Sequence, residues 1–503
     1  MKRKSRNISR KRIESNLQSE QILQPEQQSV KRKKRDSNKE FAVITYFFIG
    51  IFVAMIAYFS YFQVMRSEAF INHPYNSRLD GFAARITRGT ILSSDGEILA
   101  TTRTADDGSE TRKYPFGRMY AHVVGYAENG KSGIESAYNF ELLRSHTFLL
   151  ERVLNEIEGK KNPGDTLVTT LNHKLQKAAY EALGDRKGAV IAIEPKTGKI
   201  RALVSKPDFD PNTIVADWDA LIAGDKQNAV LLNRASQGLY PPGSTFKLVT
   251  TLAYVREHPK DYKKYQYTCD GSIRADDYLL HCFGNTAHGT VDLKKSLAKS
   301  CNSSFAQIGL SLDLKDYKDT CEDLLFNQAL PTDLPSSKSS FQLEKDASDS
   351  VVMSTAIGQG DTLVSPLHMA LLAASIQNEG ILMKPYLTEK VETVAGNEVQ
   401  TYEPSQYGRL MTKKEAKILR TMMRAVVTDG TASALDKDSY RAYGKTGSAE
   451  FSTTKGESHA WFVGFAQAEG QEPLAIAVIV EGAGNGSAVG VPIAKSVFDT
   501  YFK

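Results

Sequence analysis

Residues 240–250 read YPPGSTFKLVT, in which two prolines and a glycine stand in front of a serine and a lysine follows three positions later. The prolines and Gly243 end the preceding segment and predict that a helix begins at Ser244. Residues three apart share one helix face, so Lys247 is expected to reach Ser244 Oγ within one turn. The helix N-terminus adds free N–H donors and partial positive charge beneath the hydroxyl. This stretch therefore predicts a serine nucleophile with a lysine base.

The serine–lysine spacing is not specific by itself, because it occurs at two other places. Ser296 and Lys299 lie inside a helical run, and Ser452 and Lys455 lie in a polar turn. Neither pair is preceded by prolines and a glycine that would begin a helix at its serine. An ordinary helix carrying two polar residues remains the alternative unless other motifs single out the first copy.

A second motif follows at Ser300-Cys301-Asn302. A hydroxyl and a carboxamide two residues apart can face one cleft from a turn between helices, and the hydroxyl can then relay a proton. Taken alone, the triplet is better explained by helix capping through serine or asparagine.

The third motif is GKTGSAEF, which leads into a predicted strand. Lys445 supplies a cation, and Thr446 and Ser448 supply hydroxyls, a donor set that suits a substrate carboxylate. Gly447 allows the backbone to approach closely. Another Lys-Thr-Gly, at 196–198, precedes the serine and is interpreted as a hairpin turn between two strands. The order of the three motifs along the chain is more specific than any one of them.

The N-terminal part of the chain predicts a membrane anchor. Residues 41–65 form a run of 25 uncharged residues, preceded by a tail, 1–40, with thirteen Lys or Arg against five Asp or Glu. A membrane helix needs about 20 apolar residues. The run is too long for the apolar core of a signal peptide, and no cleavage site follows it. The positive-inside rule predicts a cytoplasmic tail and places everything after residue 65 outside.

All four cysteines, which are Cys269, Cys282, Cys301 and Cys321, lie in the predicted outer part, where disulfides can form. Four cysteines allow three complete pairings, and the sequence does not choose among them. Cys269 with Cys282 is the favoured pair, because they enclose a short loop-like segment. The chain has no HExxH and no paired CxxC motif, so neither a metal site nor a cofactor is predicted.

The patterning predicts an α/β sandwich whose sheet is built from both ends of one domain. KGAVIAIEPKTGKIRALVS reads as two strands joined by a turn at 194–199, and HAWFVGFA with LAIAVIVE returns to strands near the C-terminus. The stretch from Ser244 to about residue 380 is mostly helical in pattern, and VPIAKSVFDTYF ends the chain as an amphipathic helix. Upstream, Asp95-Gly96 between two apolar runs predicts a hairpin.

SxxK, then SxN, then KTG is the motif set of penicillin-binding proteins and serine β-lactamases. The chain resembles class B penicillin-binding proteins over nearly the whole outer part, including NRASQGLYPPGSTFK, HGTVDLKKSLAKSCNSSF and STAIGQGDTLVSPLHMA. The resemblance implies an antiparallel sheet flanked by helices with an all-helical subdomain. The expected domains are a basic cytoplasmic tail at 1–40, a transmembrane helix at 41–65, a small β-rich pedestal at 66–160 and a transpeptidase domain at 161–503.

The resemblance implies a D,D-transpeptidase that cross-links peptidoglycan and is acylated by β-lactams. Carried onto this chain, Ser244 attacks the D-Ala-D-Ala carbonyl, Lys247 is its base and Ser300 relays the proton. An amine of a neighbouring stem peptide then takes the acyl group. A polytopic glycosyltransferase of the shape, elongation, division and sporulation type is the partner that the resemblance implies.

The same resemblance assigns the remaining residues of the site. Asn302 orients the substrate, and Lys445 supports the electrostatics. Thr446 and Ser448 bind the terminal carboxylate, with Gly447 between them. The backbone N–H groups of the nucleophile and of Ser448 are the expected oxyanion hole.

Two alternatives share these motifs. A membrane-anchored serine β-lactamase would hydrolyse the acyl group, but the Glu-x-x-x-Asn segment of class A enzymes has no match, since Glu322 and Asn327 are five apart. A β-lactam-binding sensor would signal without turnover. Such sensors also carry an intramembrane metalloprotease, and this chain has no HExxH motif.

Overall fold

The computed structural model describes residues 26–65, 78–223, 228–275, 277–450 and 457–503. It divides into two units, Met1–Ile71 and Asn72–Lys503. In the first unit, the helix Glu26–Met65 contains the apolar stretch Lys39–Gln63, with a mean hydropathy of 2.3. That stretch is long and apolar enough to cross a membrane, and its ends lie within two residues of the predicted span.

The second unit is built on a five-stranded sheet that is antiparallel throughout. Its strands, in spatial order, are Arg441–Glu450, Ser458–Gln467, Leu474–Val480, Gly188–Ile193 and Ile200–Lys206. Two strands thus come from before the nucleophile motif and three from the C-terminal end, as the patterning predicted. The strands Leu474–Val480 and Gly188–Ile193 are buried along their whole length, and Ser458–Gln467 is buried except at its last residue, because helices cover the sheet.

Four helices pack on this sheet, and one of them, Lys413–Thr428, contacts the edge strand Arg441–Glu450. Pro366–Gln377 is buried at every position and contacts the central strands. The C-terminal helix Gly490–Tyr501 contacts both the sheet and the helix His173–Leu183. The continuous apolar core between these elements gives the sheet a fixed edge at Arg441–Glu450, the strand that carries the Lys-Thr-Gly motif.

The region between the two halves of the sheet is helical, as expected, but it also contains strands that the pattern did not reveal. Its helices are Lys247–Glu257, Leu293–Ala298, Asn302–Ser311, Leu314–Asp323 and Asp349–Ala356. Its strands are Gln266–Cys269, Ser272–Ala275, Tyr278–His281 and Gly289–Asp292. The expectation of an all-helical subdomain is therefore corrected. These strands are only four residues long and mostly exposed, so they lack an alternating apolar signal.

The pedestal contains the predicted hairpin. Ile91–Leu92 and Ile98–Thr104 pair antiparallel on either side of Asp95-Gly96, and Gly96 has the positive φ of +88° that this tight turn requires. These strands belong to a six-stranded sheet whose members, in spatial order, are Glu398–Thr401, Thr388–Glu392, Thr166–Thr169, Ile91–Leu92, Ile98–Thr104 and Glu110–Lys113.

The division at residue 160 stays a prediction, and the structure shows how the two predicted domains are joined. Thr166–Thr169, just after that point, pairs with the pedestal strand Ile91–Leu92 on one side and with Thr388–Glu392 on the other. Backbone hydrogen bonding therefore continues from the pedestal into the larger domain.

The remaining elements are short or peripheral. Beyond the sheets lie the paired strands Ile86–Thr87 with Asn162–Pro163 and Ile381–Met383 with Gln406–Arg409. The other α-helices are Arg78–Ala83, Gly133–Ala137, Asn139–Leu142, Leu149–Ile157 and Ile214–Ala223. Turns of 3₁₀-helix occur at Gly117–Tyr120, Gly243–Thr245, Tyr262–Lys264, Phe283–Asn285 and Ser433–Leu435.

Candidate active site

Ser244 lies in a tight turn at the start of a buried helix. The segment Gly243–Thr245 is a 3₁₀ turn, and the α-helix begins at Lys247, so the serine precedes the α-helix by one turn. Gly243 has φ +51°, and its N–H donates to the Gly358 carbonyl at 2.8 Å. The turn's other N–H bonds are made by Thr245 and Phe246. In this fixed turn Ser244 is half-buried, whereas Gly243 and Thr245 on either side of it are buried.

Lys247 is completely buried beneath that turn. Its Nζ donates to Asn302 Oδ1 at 2.7 Å and to the Ser300 carbonyl at 2.9 Å, with Ser300 Oγ at 3.4 Å. Within the described residues, the structure shows no hydrogen bond from this amine to Ser244 Oγ, so the expected direct serine–lysine contact is not formed in this resting arrangement. Catalytic hydrogen bonds commonly tighten only when substrate is present.

Burial lowers the pKa of Lys247 to about 8, although Cys301 and Cys282 act in the opposite direction. A lysine in water has a pKa near 10.4 and is almost always charged at neutral pH. With the lowered pKa, a substantial share of the amine is neutral near pH 8 and can accept a proton. The cause is the loss of hydration, which disfavours the ammonium form.

The Ser300–Asn302 turn joins the helices Leu293–Ala298 and Asn302–Ser311, as the sequence predicted. Ser300 adopts φ +57°, an unusual conformation for a non-glycine residue, which marks a constrained position in the backbone. Asn302 Nδ2 donates to the His281 carbonyl at 2.9 Å, so the amide is held from both ends. Cys301 caps the second helix by accepting from the Ser304 N–H.

Lys445 reaches the same serine from the edge strand of the sheet. Its Nζ donates to Ser300 Oγ at 2.9 Å and to the Thr446 carbonyl at 2.9 Å. The side chain is fully buried, and burial followed by repulsion from Lys247 holds its pKa well below the ordinary lysine value. Two buried amines therefore converge on one hydroxyl, and proton sharing among the three is chemically available.

Thr446 and Ser448, the residues expected to bind the substrate carboxylate, lie on the same edge strand. Thr446 Oγ1 is 2.6 Å from Thr431 Oγ1, which fixes its orientation, and Ser448 Oγ is 3.4 Å from the Gly486 N–H. Gly447 is packed against the nucleophile turn: a Cβ there would lie 3.0 Å from the Pro242 carbonyl oxygen. The strand can approach the serine this closely only because position 447 has no side chain.

The competing serine–lysine and Lys-Thr-Gly copies behave as structural elements. Ser296 is fully buried, and its Oγ is 2.7 Å from Ser304 Oγ, while Lys299 is exposed. Lys196-Thr197-Gly198 is a hairpin turn in which Gly198 has φ +84°. Ser452 and Lys455 lie outside the described residues.

Several contributors to the site were missed from the sequence. Gly358 accepts the Gly243 N–H, and Thr431 orients Thr446, yet neither belongs to a motif of recognisable spacing. Gly358 has φ +78°, and its setting IGQGD with two glycines was a signal for a tight turn.

The favoured disulfide is not formed. All four cysteines are free and buried, and the Sγ atoms of Cys269 and Cys282 are 3.7 Å apart, against about 2.05 Å in a disulfide. A third thiol lies beside this pair, with Cys301 Sγ 3.8 Å from that of Cys282. The sequence could not show that Cys301, at the centre of the second motif, joins this group.

Comparison with known proteins identifies two domains in the chain. The family model of the penicillin binding protein transpeptidase domain matches residues 188–499, and that of the penicillin binding protein A dimerisation domain matches residues 88–167. Among curated proteins, the chain is 32% identical to the peptidoglycan D,D-transpeptidase PbpA of Mycolicibacterium smegmatis, over 89% of this chain and 95% of that protein. It is 28% identical to the peptidoglycan D,D-transpeptidase MrdA of Acinetobacter baumannii, over 77% of this chain and 66% of that protein.

Solved structures show the same likeness. The ceftriaxone acyl-enzyme complex of penicillin-binding protein A from M. tuberculosis superposes with a TM-score of 0.75 and 29% identity, covering 84% of this chain and all of that one. The D,D-transpeptidase domain of a peptidoglycan glycosyltransferase from Eggerthella lenta gives a TM-score of 0.73 and 30% identity, covering 83% of this chain and 98% of that one.

Proposed function

The chain belongs to the class B penicillin-binding proteins, and on that premise we propose that it cross-links peptidoglycan stem peptides through an acyl-enzyme at Ser244. It is a serine D,D-transpeptidase that β-lactams inhibit by acylation. The observation that carries the residue assignment is the convergence of two buried lysines on Ser300 Oγ beside the nucleophile turn.

Acylation begins when neutral Lys247 accepts the proton of Ser244 Oγ. The oxygen attacks the carbonyl between the two D-alanines, and the backbone N–H groups of Ser244 and Ser448 stabilise the oxyanion. The proton then passes from Lys247 through Ser300 Oγ to the leaving D-alanine amine. The contacts support this relay, because Ser300 Oγ is within hydrogen-bonding distance of both amines.

The substrate is held at the edge of the strand Arg441–Glu450. Thr446 and Ser448 donate to the terminal carboxylate of the stem peptide, and Gly447 keeps the strand close to the nucleophile. Asn302 positions the peptide with its amide, and Lys445 supports the electrostatics of the site by donating to Ser300 Oγ. In the second half-reaction, an amine of a neighbouring stem peptide attacks the ester and regenerates Ser244.

Transfer to an amine distinguishes this function from that of a β-lactamase, in which water attacks the ester. The test is an assay with a D-Ala-D-Ala stem peptide as donor and a D-amino acid as acceptor. The wild-type chain should form the exchanged peptide, and Ser244→Ala should not. Ser296→Ala, the decoy serine, is the matched control and should retain the activity. Hydrolysis of penicillin with many turnovers and no exchange product would contradict the proposal.

We place the catalytic domain outside the cell. The apolar stretch Lys39–Gln63 fits a single-pass anchor, and the excess of basic residues in the preceding tail supports a cytoplasmic N-terminus. Stem peptides lie outside the membrane, so this orientation brings the site to its substrate. A protease added to intact cells should remove the outer part and leave the tail protected; loss of the tail alone would contradict it.

The partner that we propose is a polytopic glycosyltransferase of the shape, elongation, division and sporulation type. The pedestal offers an apolar surface for it in the helix Leu149–Ile157, where Leu149 is 70% and Ile157 76% exposed. Exposed apolar surface of this kind marks interaction sites. Leu149→Lys with Ile157→Lys should abolish co-purification with the glycosyltransferase while penicillin labelling persists, and Glu151→Lys on the same helix should not.

A further inference from the structure

Three cysteines and a histidine converge next to the active site. Cys269, Cys282, His288 and Cys301 each direct one potential ligand atom to a common point, and all four atoms lie within 4.8 Å of one another. The three thiols are at least 98% buried, and the imidazole is half-buried. Cys321, the remaining cysteine, is not a member of this group.

The residues reach this point from four separate elements. Cys269 ends the strand Gln266–Cys269, and Cys282 follows the strand Tyr278–His281. His288 precedes the strand Gly289–Asp292, and Cys301 is the N-cap of the helix Asn302–Ser311. The group therefore ties the hairpin Ser272–His281, and the strand pair on either side of it, to the helix that follows the Ser300–Asn302 turn.

The distances within the group are those of a tetrahedron around a metal ion. With zinc–sulfur bonds of about 2.3 Å, the edge between two sulfurs of a tetrahedral site is about 3.8 Å. The observed separations are 3.7 Å for Cys269 and Cys282 and 3.8 Å for Cys282 and Cys301. An edge between sulfur and nitrogen is about 3.6 Å, and Cys269 Sγ lies 3.5 Å from His288 Nδ1. Disulfide bonding would need about 2.05 Å and would use only two of the three thiols.

The surroundings supply the second layer of contacts that metal ligands usually have. Ser303 Oγ is 3.3 Å from Cys282 Sγ, and the Ser304 N–H donates to Cys301 Sγ at 3.4 Å. Such hydrogen bonds orient ligands and stabilise thiolates. The hairpins have little apolar core of their own, since the buried members of this satellite cluster are the three cysteines, packed with Tyr267. Small elements without a core commonly depend on a metal or disulfides for stability.

We propose that Cys269, Cys282, His288 and Cys301 form a tetrahedral site for a structural zinc ion. Three thiolates and one imidazole are a donor set typical of structural Zn²⁺. Four protein ligands complete the coordination, so the ion leaves no open position and does not activate water. Its function is to hold the turn that carries Ser300 and Asn302.

The connection to catalysis runs through the backbone of that turn. Cys301 lies between Ser300, whose Oγ contacts both buried lysines, and Asn302, whose Oδ1 accepts from Lys247. Asn302 also donates to His281, the residue before Cys282. Releasing the metal frees both sides of the turn. Displacement of catalytic groups by about 1 Å can cost on the order of 10²-fold in rate.

The first measurement is the metal content of the full chain, purified in detergent without added metal or strong chelator. Inductively coupled plasma mass spectrometry should find about one zinc per chain. Mercurial titration of the thiols should release it, and Co²⁺ substitution should give the visible spectrum of a tetrahedral thiolate site. A chain without zinc, with Cys269–Cys282 or Cys282–Cys301 identified as a disulfide by peptide mapping, would overturn the proposal.

Variants then locate the ion. Cys282→Ser, Cys301→Ser and His288→Ala should each lose most of the zinc, whereas Cys321→Ser, a buried cysteine outside the group, should keep it. Because a ligand variant can fail to fold, a second experiment uses wild-type protein from which the zinc has been removed with a chelator. It should react with fluorescent penicillin about 10²-fold more slowly and recover on adding Zn²⁺ but not Mg²⁺. Zinc retained by the ligand variants would contradict the site. Unchanged acylation after verified zinc removal would contradict its positioning role.

Discussion

Ser300 Oγ lies 2.9 Å from Lys445 Nζ, although the two residues are 145 positions apart in the chain. The contact joins the turn before the helix Asn302–Ser311 to the edge strand of the sheet. Lys247 approaches the same hydroxyl from a third element. The site is therefore assembled from three separate parts of the domain, and its geometry depends on how these parts pack.

Replacing Ser300 with alanine removes the hydroxyl that both lysines contact. We expect penicillin acylation of Ser300→Ala to slow by about 10²- to 10⁴-fold, the usual contribution of a positioned proton-transfer group. Stopped-flow or gel-based labelling measures the second-order rate. Ser303→Ala is unsuitable as a control because Ser303 contacts Cys282; Ser311→Ala, at the end of the same helix, serves instead. An unchanged rate in Ser300→Ala would exclude the relay.

The pKa of Lys247 gives the reaction a defined pH dependence. Because burial lowers this pKa to about 8 and the base acts as the neutral amine, the acylation rate should rise with pH and level off above about 8. Lys247→Arg keeps a cation that does not deprotonate, so both the rate and its rising limb should be lost. Lys299→Arg, in the exposed decoy pair, should leave the profile unchanged. A wild-type rate that falls as pH rises from 6 to 8 would contradict the assignment.

The absence of a side chain at Gly447 is a testable packing requirement. A Cβ there would meet Pro242 O at 3.0 Å and Thr245 Cγ2 at 3.1 Å, both in the nucleophile turn. We expect Gly447→Ala to cost about 1 to 3 kcal/mol of stability and to slow acylation, because the strand must move away from the serine. In Gly408→Ala, where nothing lies within 4 Å of the added carbon, both quantities should stay near wild type.

The pedestal has its own stability determinant in Glu135. This carboxylate is fully buried and pairs with Arg112 at 2.7 Å and with Arg88. Removing one partner of a buried pair typically costs about 3 to 5 kcal/mol, so Glu135→Gln should lower the midpoint of thermal unfolding markedly. Glu181→Gln, in an exposed pair, should change it little.

The same residue predicts a pH effect. Burial raises the pKa of Glu135, but Arg112 and Arg88 outweigh burial and hold it below its ordinary value. A depressed carboxylate pKa stabilises the fold above the unfolded-state pKa, and the stabilisation is lost as pH falls through the folded-state value. Below about pH 4, wild type should lose stability more steeply than Glu135→Gln. Parallel acid unfolding curves would contradict this.

Much of the site was predictable because its chemistry is carried by local spacing. A short pattern in the sequence marks each part of the site: Ser244 with Lys247, the Ser300–Asn302 turn and the Lys445–Ser448 strand. Their order along the chain separated them from the competing serine–lysine and Lys-Thr-Gly copies. Repeated apolar residues likewise predicted the strands of the five-stranded sheet and the hairpin at Asp95-Gly96.

What could not be predicted depends on contacts between distant residues. The strands Gln266–Cys269 and Ser272–Ala275 are too short to show the alternation of apolar residues that predicts a strand. His288 showed no relation to Cys301 until the hairpins brought them together, and the partnership of Thr431 with Thr446 is likewise visible only in the folded chain. The lysine amine was expected on Ser244, but packing places it on Ser300 and Asn302.

The central claim is that Ser244 forms a long-lived acyl-enzyme, and mass spectrometry of the full chain treated with penicillin tests it most directly. We predict one penicilloyl adduct per chain, located by peptide mapping on Ser244, absent from Ser244→Ala and retained by Ser296→Ala. After removal of free penicillin, the adduct should persist for many minutes. An adduct that remains in Ser244→Ala, or one that is hydrolysed within seconds with repeated turnover, would contradict the account.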